Sequence, residues 1–96
     1  MISTHVLDTE RGRPAAGVRV ELYRGEELLA ARETDADGRI DALGEDLTPG
    51  IYRLIFLLAS SPFFQRIEIE ISLEDAGDIH VPLLLAPYSC TTYRGS

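Results

Sequence analysis

From Arg66 to Leu73 the chain reads RIEIEISL, with Ile67, Ile69, Ile71 and Leu73 alternating strictly with Arg66, Glu68, Glu70 and Ser72. A period of two puts the apolar side chains on one face of an extended strand and the polar ones on the other. A helix cannot do this, because residues sharing a helix face recur every three or four positions. The segment therefore predicts a half-buried strand, which needs partner strands beside it and a second layer over its apolar face.

The same pattern recurs along the chain. VRVELYR sends Val18, Val20 and Leu22 one way and Arg19, Glu21 and Tyr23 the other. In STHVLD, Ser3, His5 and Leu7 share one face while Thr4, Val6 and Asp8 share the opposite one. ELLAARET, IYRLIFLL and IHVPLLLAPY are further strand candidates, and a last short strand is expected within Ser89 to Tyr93. ERGRPAAG, RGE, TDADG, LTPG, SSP and EDAGD separate them, and Asp37-Gly38 supplies residues that tolerate positive φ in a tight turn. Seven or eight strands at intervals of roughly eight to twelve residues predict an all-β sandwich of antiparallel sheets with little or no helix. Pro82 cannot donate to a ladder, so it is expected near a strand end, on an edge or beside a bulge. With no repeat, low-complexity stretch or linker, residues 1–96 read as one domain.

A chain of 96 residues can bury roughly 64% of its unfolded surface, enough for one modest core, and association into a homo-oligomer is a natural further source of stability. A net charge of −7 argues against nucleic acid, which requires a concentrated positive surface. The apolar runs LIFLLA and VPLLLAP fall well short of the ~20 residues of a membrane-spanning helix, so no membrane partner is expected. No signal-type leader is apparent, which makes the cytoplasm the expected location. Cys90 is the sole cysteine; it forms no internal disulfide framework and is expected to be a small packing residue rather than a nucleophile. All nine basic residues are arginines, whose planar fork can hold a carboxylate or imide; for most of them a surface role is the simpler reading.

No phosphate loop, C-x-x-C pair or H-E-x-x-H stretch occurs. Chemistry then has few candidates. His5 and His80 are the only histidines, and histidine is the side chain suited to proton transfer near neutral pH. Taken alone, each is more often a hydrogen-bonded structural residue than a catalyst. The pair could ligate zinc with Asp8 or Asp78, but no ligand-type spacing supports a metal, and none is expected. Arg39, directly after the Asp-Gly turn, is a solvated strand residue or a clamp for charge developing on a carbonyl oxygen. Ser96 lacks the surroundings of a nucleophilic serine, and the carboxylate it carries could instead orient Arg39 or a histidine.

STHVLDTERGRPAAGVRVELYR, TDADGRI, LTPGIYRLIF and HVPLLLAPYSCTTYRGS together resemble the 5-hydroxyisourate hydrolases, the enzymatic relatives of transthyretin. The likeness covers nearly the whole chain, and T-H-V-L-D and Y-R-G-S are its specific parts. It implies a transthyretin-like sandwich of two four-stranded sheets, assembled as a homotetramer, a dimer of dimers with active sites in a central channel. It also implies hydrolysis of 5-hydroxyisourate to 2-oxo-4-hydroxy-4-carboxy-5-ureidoimidazoline in urate degradation, with no cofactor. His5, Arg39 and His80 match the family's catalytic positions, and substrate contacts are expected from His5, Arg39, Tyr93 and Ser96, with Arg94 adding positive charge to the pocket. The water-activating role is assigned to His80 with His5 in support, and the sequence fits the reverse assignment as well.

Two departures from the family pattern stand out. LLASSPFF leaves little room for the short helix found in relatives, so a tight turn is expected there, and Ile79 replaces an aromatic residue before His80. Two other functions fit the same strand pattern: a non-catalytic prealbumin-like module and a carrier of an aromatic ligand. Neither explains the His/Arg/His set.

Overall fold

A computed structural model describes residues 1–75 and 77–96. Its strands are β1 (Ile2–Asp8), β2 (Arg13–Pro14), β3 (Arg19–Arg24), β4 (Glu27–Glu33), β5 (Arg39–Ile40), β6 (Gly50–Leu57), β7 (Arg66–Leu73), β8 (Ile79–Leu85) and β9 (Cys90–Thr92). Among the described residues there is no helix, and hence none long and apolar enough to cross a membrane.

The strands form two sheets. One runs β4-β3-β6-β7 and is antiparallel throughout. The other runs β2-β1-β8-β9, with β5 also paired to β1. The all-β sandwich is as expected, but this second sheet differs in detail from a four-stranded antiparallel one. It holds five strands, and its central pair is parallel, in register from Ile2↔Ile79 to Asp8↔Leu85. A parallel pair needs a long crossover connection, and here the whole opposing sheet lies between β1 and β8 in sequence. The short strands β2 and β5 share one edge of β1, covering Leu7–Asp8 and Thr4–His5 respectively.

Alternation within each strand decides what fills the space between the sheets. Val20 and Leu22 of β3, and Tyr52, Leu54 and Phe56 of β6, meet Ile2 and Val6 of β1 and Val81 and Leu83 of β8. Burying each such aliphatic or aromatic side chain contributes about 1.5–3 kcal/mol. Ile67, Ile69 and Ile71 point the same way but stay partly exposed, because β7 is an edge strand. Thr4 is a buried polar residue in this layer, and its Oγ1 donates to the Val81 carbonyl at 2.6 Å.

Three local expectations are corrected. Pro82 lies in the interior of β8, between β1 and β9, rather than at a strand end or sheet edge. Successive backbone groups of β8 face opposite neighbours: the Ile79 amide donates to Met1 O, whereas the His80 carbonyl accepts from Gly95. The missing N–H of Pro82 therefore falls on the β9 side, where the ladder is interrupted between Leu83↔Thr92 and His80↔Gly95. Cys90, expected to fill packing space, is exposed on the short edge strand β9. Between β6 and β7 no helix forms, but the connection is longer than the expected tight turn: the Leu58 amide donates to Gln65 O at 3.0 Å across a six-residue loop that begins with a turn closed by the Ser61 amide on Leu58 O.

Candidate active site

The outer face of the second sheet carries the chemistry. Ile2, Thr4 and Val6 of β1 are buried, so the alternation turns Ser3 and His5 to the outer side. On β5, Ile40 pairs with Thr4 and is buried, which leaves Arg39 outside opposite His5. On the other flank of β1, His80 is in register with Ser3. Gly95 then bridges to His80 across the tail, and its amide donates to the His80 carbonyl at 2.7 Å. Arg39, the Ser3/His5 pair, His80 and Gly95 thus follow one another across a single surface.

The turn before Arg39 is built to deliver it there. One Asp35 carboxylate oxygen accepts from the amides of Asp37 (2.9 Å) and Arg39 (3.0 Å), and the Asp35 amide donates to Arg39 O. Gly38 has φ +74°, and its carbonyl accepts from the Val6 amide at 2.8 Å. A side chain at that position would place Cβ 2.5 Å from Val6 O, so glycine is required both by conformation and by the close approach to β1.

His80 is held at two points. Its Nδ1 lies 2.8 Å from Ser3 Oγ, and its ring rests against Gly95, where a Cβ would come within 2.6 Å of Cδ2. Burial, then the positive charge of Arg39, then that of His5, push the His80 pKa below its ordinary value, with Asp41 opposing them. The neutral imidazole is favoured. His5 is different: its Nε2 is a buried side-chain nitrogen without a hydrogen-bond partner among the described residues. Such an atom in a native fold is met by a water, an ion or a ligand, or has a catalytic role.

Next to these groups is an open recess of about 660 Å³, lined in part by Ser3, Arg39, His80, Arg94, Gly95 and Ser96. The recess brings two arginines, Arg39 and Arg94, together with two carboxylates, that of Asp78, which is paired with the Met1 amino group, and that carried by Ser96. Arg11, Arg19, Arg53 and Arg66 instead pair with surface carboxylates. Of the residues singled out in the sequence, Arg39, Asp78, His80 and Ser96 line the recess, as does Arg94. His5 adjoins it through its pairing with Arg39. Tyr93 is not among the lining residues and is 55% exposed. Ser3 and Gly95 were missed as site residues. Alternation does put Ser3 on the His5 face, but nothing local in sequence connects it to His80.

Among the described residues no three histidine, cysteine or acidic side chains form a group able to hold a metal ion. Asp8 is at the far end of β1, and Asp78 accepts from the Met1 amino group at 3.1 Å. A smaller recess of about 420 Å³, at the other ends of β1 and β8, has no histidine in its lining.

The model of the HIUase/Transthyretin family matches residues 2–95. The chain belongs to this family. It is 40% identical to the 5-hydroxyisourate hydrolase of Pseudomonas aeruginosa over 114 aligned positions, covering 99% of this chain and 90% of that protein. It is 44% identical to the 5-hydroxyisourate hydrolase of Halalkalibacterium halodurans, covering 99% and 97%. The solved structure of Klebsiella pneumoniae 5-hydroxyisourate hydrolase superposes with a TM-score of 0.91 at 37% identity, covering 99% of this chain and 98% of that one. The alignment with the Pseudomonas protein spans more positions than this chain has residues, so the chain is the more compact family member within the matched region.

Proposed function

We propose that this protein hydrolyses 5-hydroxyisourate to 2-oxo-4-hydroxy-4-carboxy-5-ureidoimidazoline. The observation that carries this reading is the adjacency of His5, Arg39 and His80, from three strands, on one outer face of a chain of this family. Arg39 binds the carbonyl oxygen of the ring amide and stabilises the negative charge that builds there when water adds. His80, kept neutral by its surroundings, takes the proton from the attacking water. Breaking the C–N bond leaves a carboxylate on one side and requires a proton on the departing ring nitrogen. His5, next to Arg39 and with an unpartnered Nε2, supplies or relays that proton. Arg94 and Ser96 contact the remaining polar edge of the ring, and Tyr93 contributes from the rim.

The working form is a homotetramer, a dimer of dimers, in which a second copy closes over the open recess and excludes water. Support comes from the breadth of the recess and from the exposure of Tyr93 on the tail beside it, while exposed Phe63 and Tyr88, at the other end of the sheet, offer a second apolar patch for association. Its location is the cytoplasm, where an exposed thiol such as Cys90 stays reduced.

Freshly generated 5-hydroxyisourate should lose its near-ultraviolet absorbance much faster with the protein than in buffer. Equal rates would reject the enzyme and favour a non-catalytic binding module.

A further inference from the structure

We infer that Ser3 and Gly95 are positioning residues for His80, holding its ring as the Nδ1–H tautomer with Nε2 free to act as a base. The catalytic consequence rests on the proposed hydrolase reading; the tautomer does not.

The ring has few open atoms. Nδ1 is engaged by Ser3 Oγ at 2.8 Å, in a contact set by the Ser3↔His80 register of the parallel pair. On the other flank, Cδ2 is walled by Gly95, whose own place is held by the 2.7 Å bond from its amide to His80 O. That leaves Nε2 as the nitrogen available to a ligand in the recess. A serine hydroxyl can donate to Nδ1 or accept from it. Acceptance fits a base: the neutral Nδ1–H ring and the imidazolium both keep the same bond to Ser3, so proton uptake at Nε2 needs no reorientation of either group. The charges around the ring are mixed: Arg39 and Arg94 in the recess and His5 beside it favour a lone pair at Nε2, whereas Asp41, Asp78 and the carboxylate of Ser96 favour an N–H, so the Ser3 contact is what selects the tautomer. Glycine at position 95 follows from the contact, because any side chain there would displace the ring it steadies.

The test combines ¹⁵N-histidine NMR of the ligand-free protein with kinetics of Ser3→Ala, Ser3→Thr and Gly95→Ala. In the unsubstituted protein the His80 ring should show a protonated Nδ1 and a lone pair on Nε2. Ser3→Ala should lose that bias, titrate at lower pH because the cation has lost an acceptor, and show roughly a 10-fold fall in kcat/KM with an acid limb displaced in the same direction. Ser3→Thr should restore both signals. Gly95→Ala should shift the His80 resonances and lower kcat more than it raises KM. A protonated Nε2 in the unsubstituted protein, or a Ser3→Ala variant that folds and keeps its tautomer and pH profile, would overturn the assignment. Unaccelerated loss of 5-hydroxyisourate with the unsubstituted protein would instead reject the hydrolase reading, while the NMR comparison still decides the tautomer.

Discussion

His5 and Arg39 occupy opposed positions across the antiparallel pairing of β1 with β5, on the outer side of the sheet. An imidazole and a guanidinium are thereby placed side by side without either lying in a loop that must fold over the other. The arginine is held by its backbone, through Asp35 and Gly38, so its side chain is free to engage a ligand. Arg39→Lys keeps the charge but loses the planar fork. Turnover of 5-hydroxyisourate should fall by about 100-fold, with the circular dichroism spectrum and thermal unfolding unchanged. Full activity in this variant would remove Arg39 from the mechanism.

Gly38→Ala tests whether the turn itself is what seats Arg39. Its φ of +74° and the 2.5 Å approach of a new Cβ to Val6 O both oppose the substitution. Unfolding in urea should show a loss of about 1–3 kcal/mol. Activity should fall as well, because relief of the clash moves β5 away from β1. Unchanged kinetics in a folded Gly38→Ala protein would show that the β1–β5 register is not needed for catalysis.

The pH dependence follows from His80. Its pKa in the folded chain is below the ordinary 6.5, chiefly through burial and next through Arg39. In the unfolded chain it returns close to the ordinary value. Between the two values the unfolded chain binds more protons, so stability rises with pH through that window. The contribution is fully present above pH 6.5 and is lost as pH falls through the folded-state value. Activity that uses neutral His80 should show an acid limb at a pH below 6.5, measured as kcat/KM from pH 4.5 to 8. His80→Gln should abolish that limb together with most of the activity.

Thr4→Val separates the inner face of β1 from the outer one. The substitution keeps the branched shape and removes only the bond from Oγ1 to Val81 O. Stability should drop by about 1–2 kcal/mol in denaturant unfolding, with kcat/KM unaffected. A large loss of activity would mean that the inner layer controls the site more directly than the one-face arrangement implies.

Local sequence determined much of this molecule. The alternation in RIEIEISL and VRVELYR assigns a buried and an exposed face to β7 and β3, and Asp37-Gly38 marks the turn from which Arg39 emerges, because each depends on neighbours a few residues apart. The pairing of His5, Arg39 and His80 into a site was legible only through the family likeness, since periodicity says which way a side chain points but not which strand lies beside it. Tertiary structure decided the rest: the parallel union of β1 with β8, the tolerance of Pro82 inside it, and the contacts of Ser3 and Gly95 with His80. Strand register is chosen by the whole core at once. Many pairings satisfy the same local alternation, and only the one that buries Ile2, Val6, Val81 and Leu83 against the opposite sheet brings the outer-face residues into line.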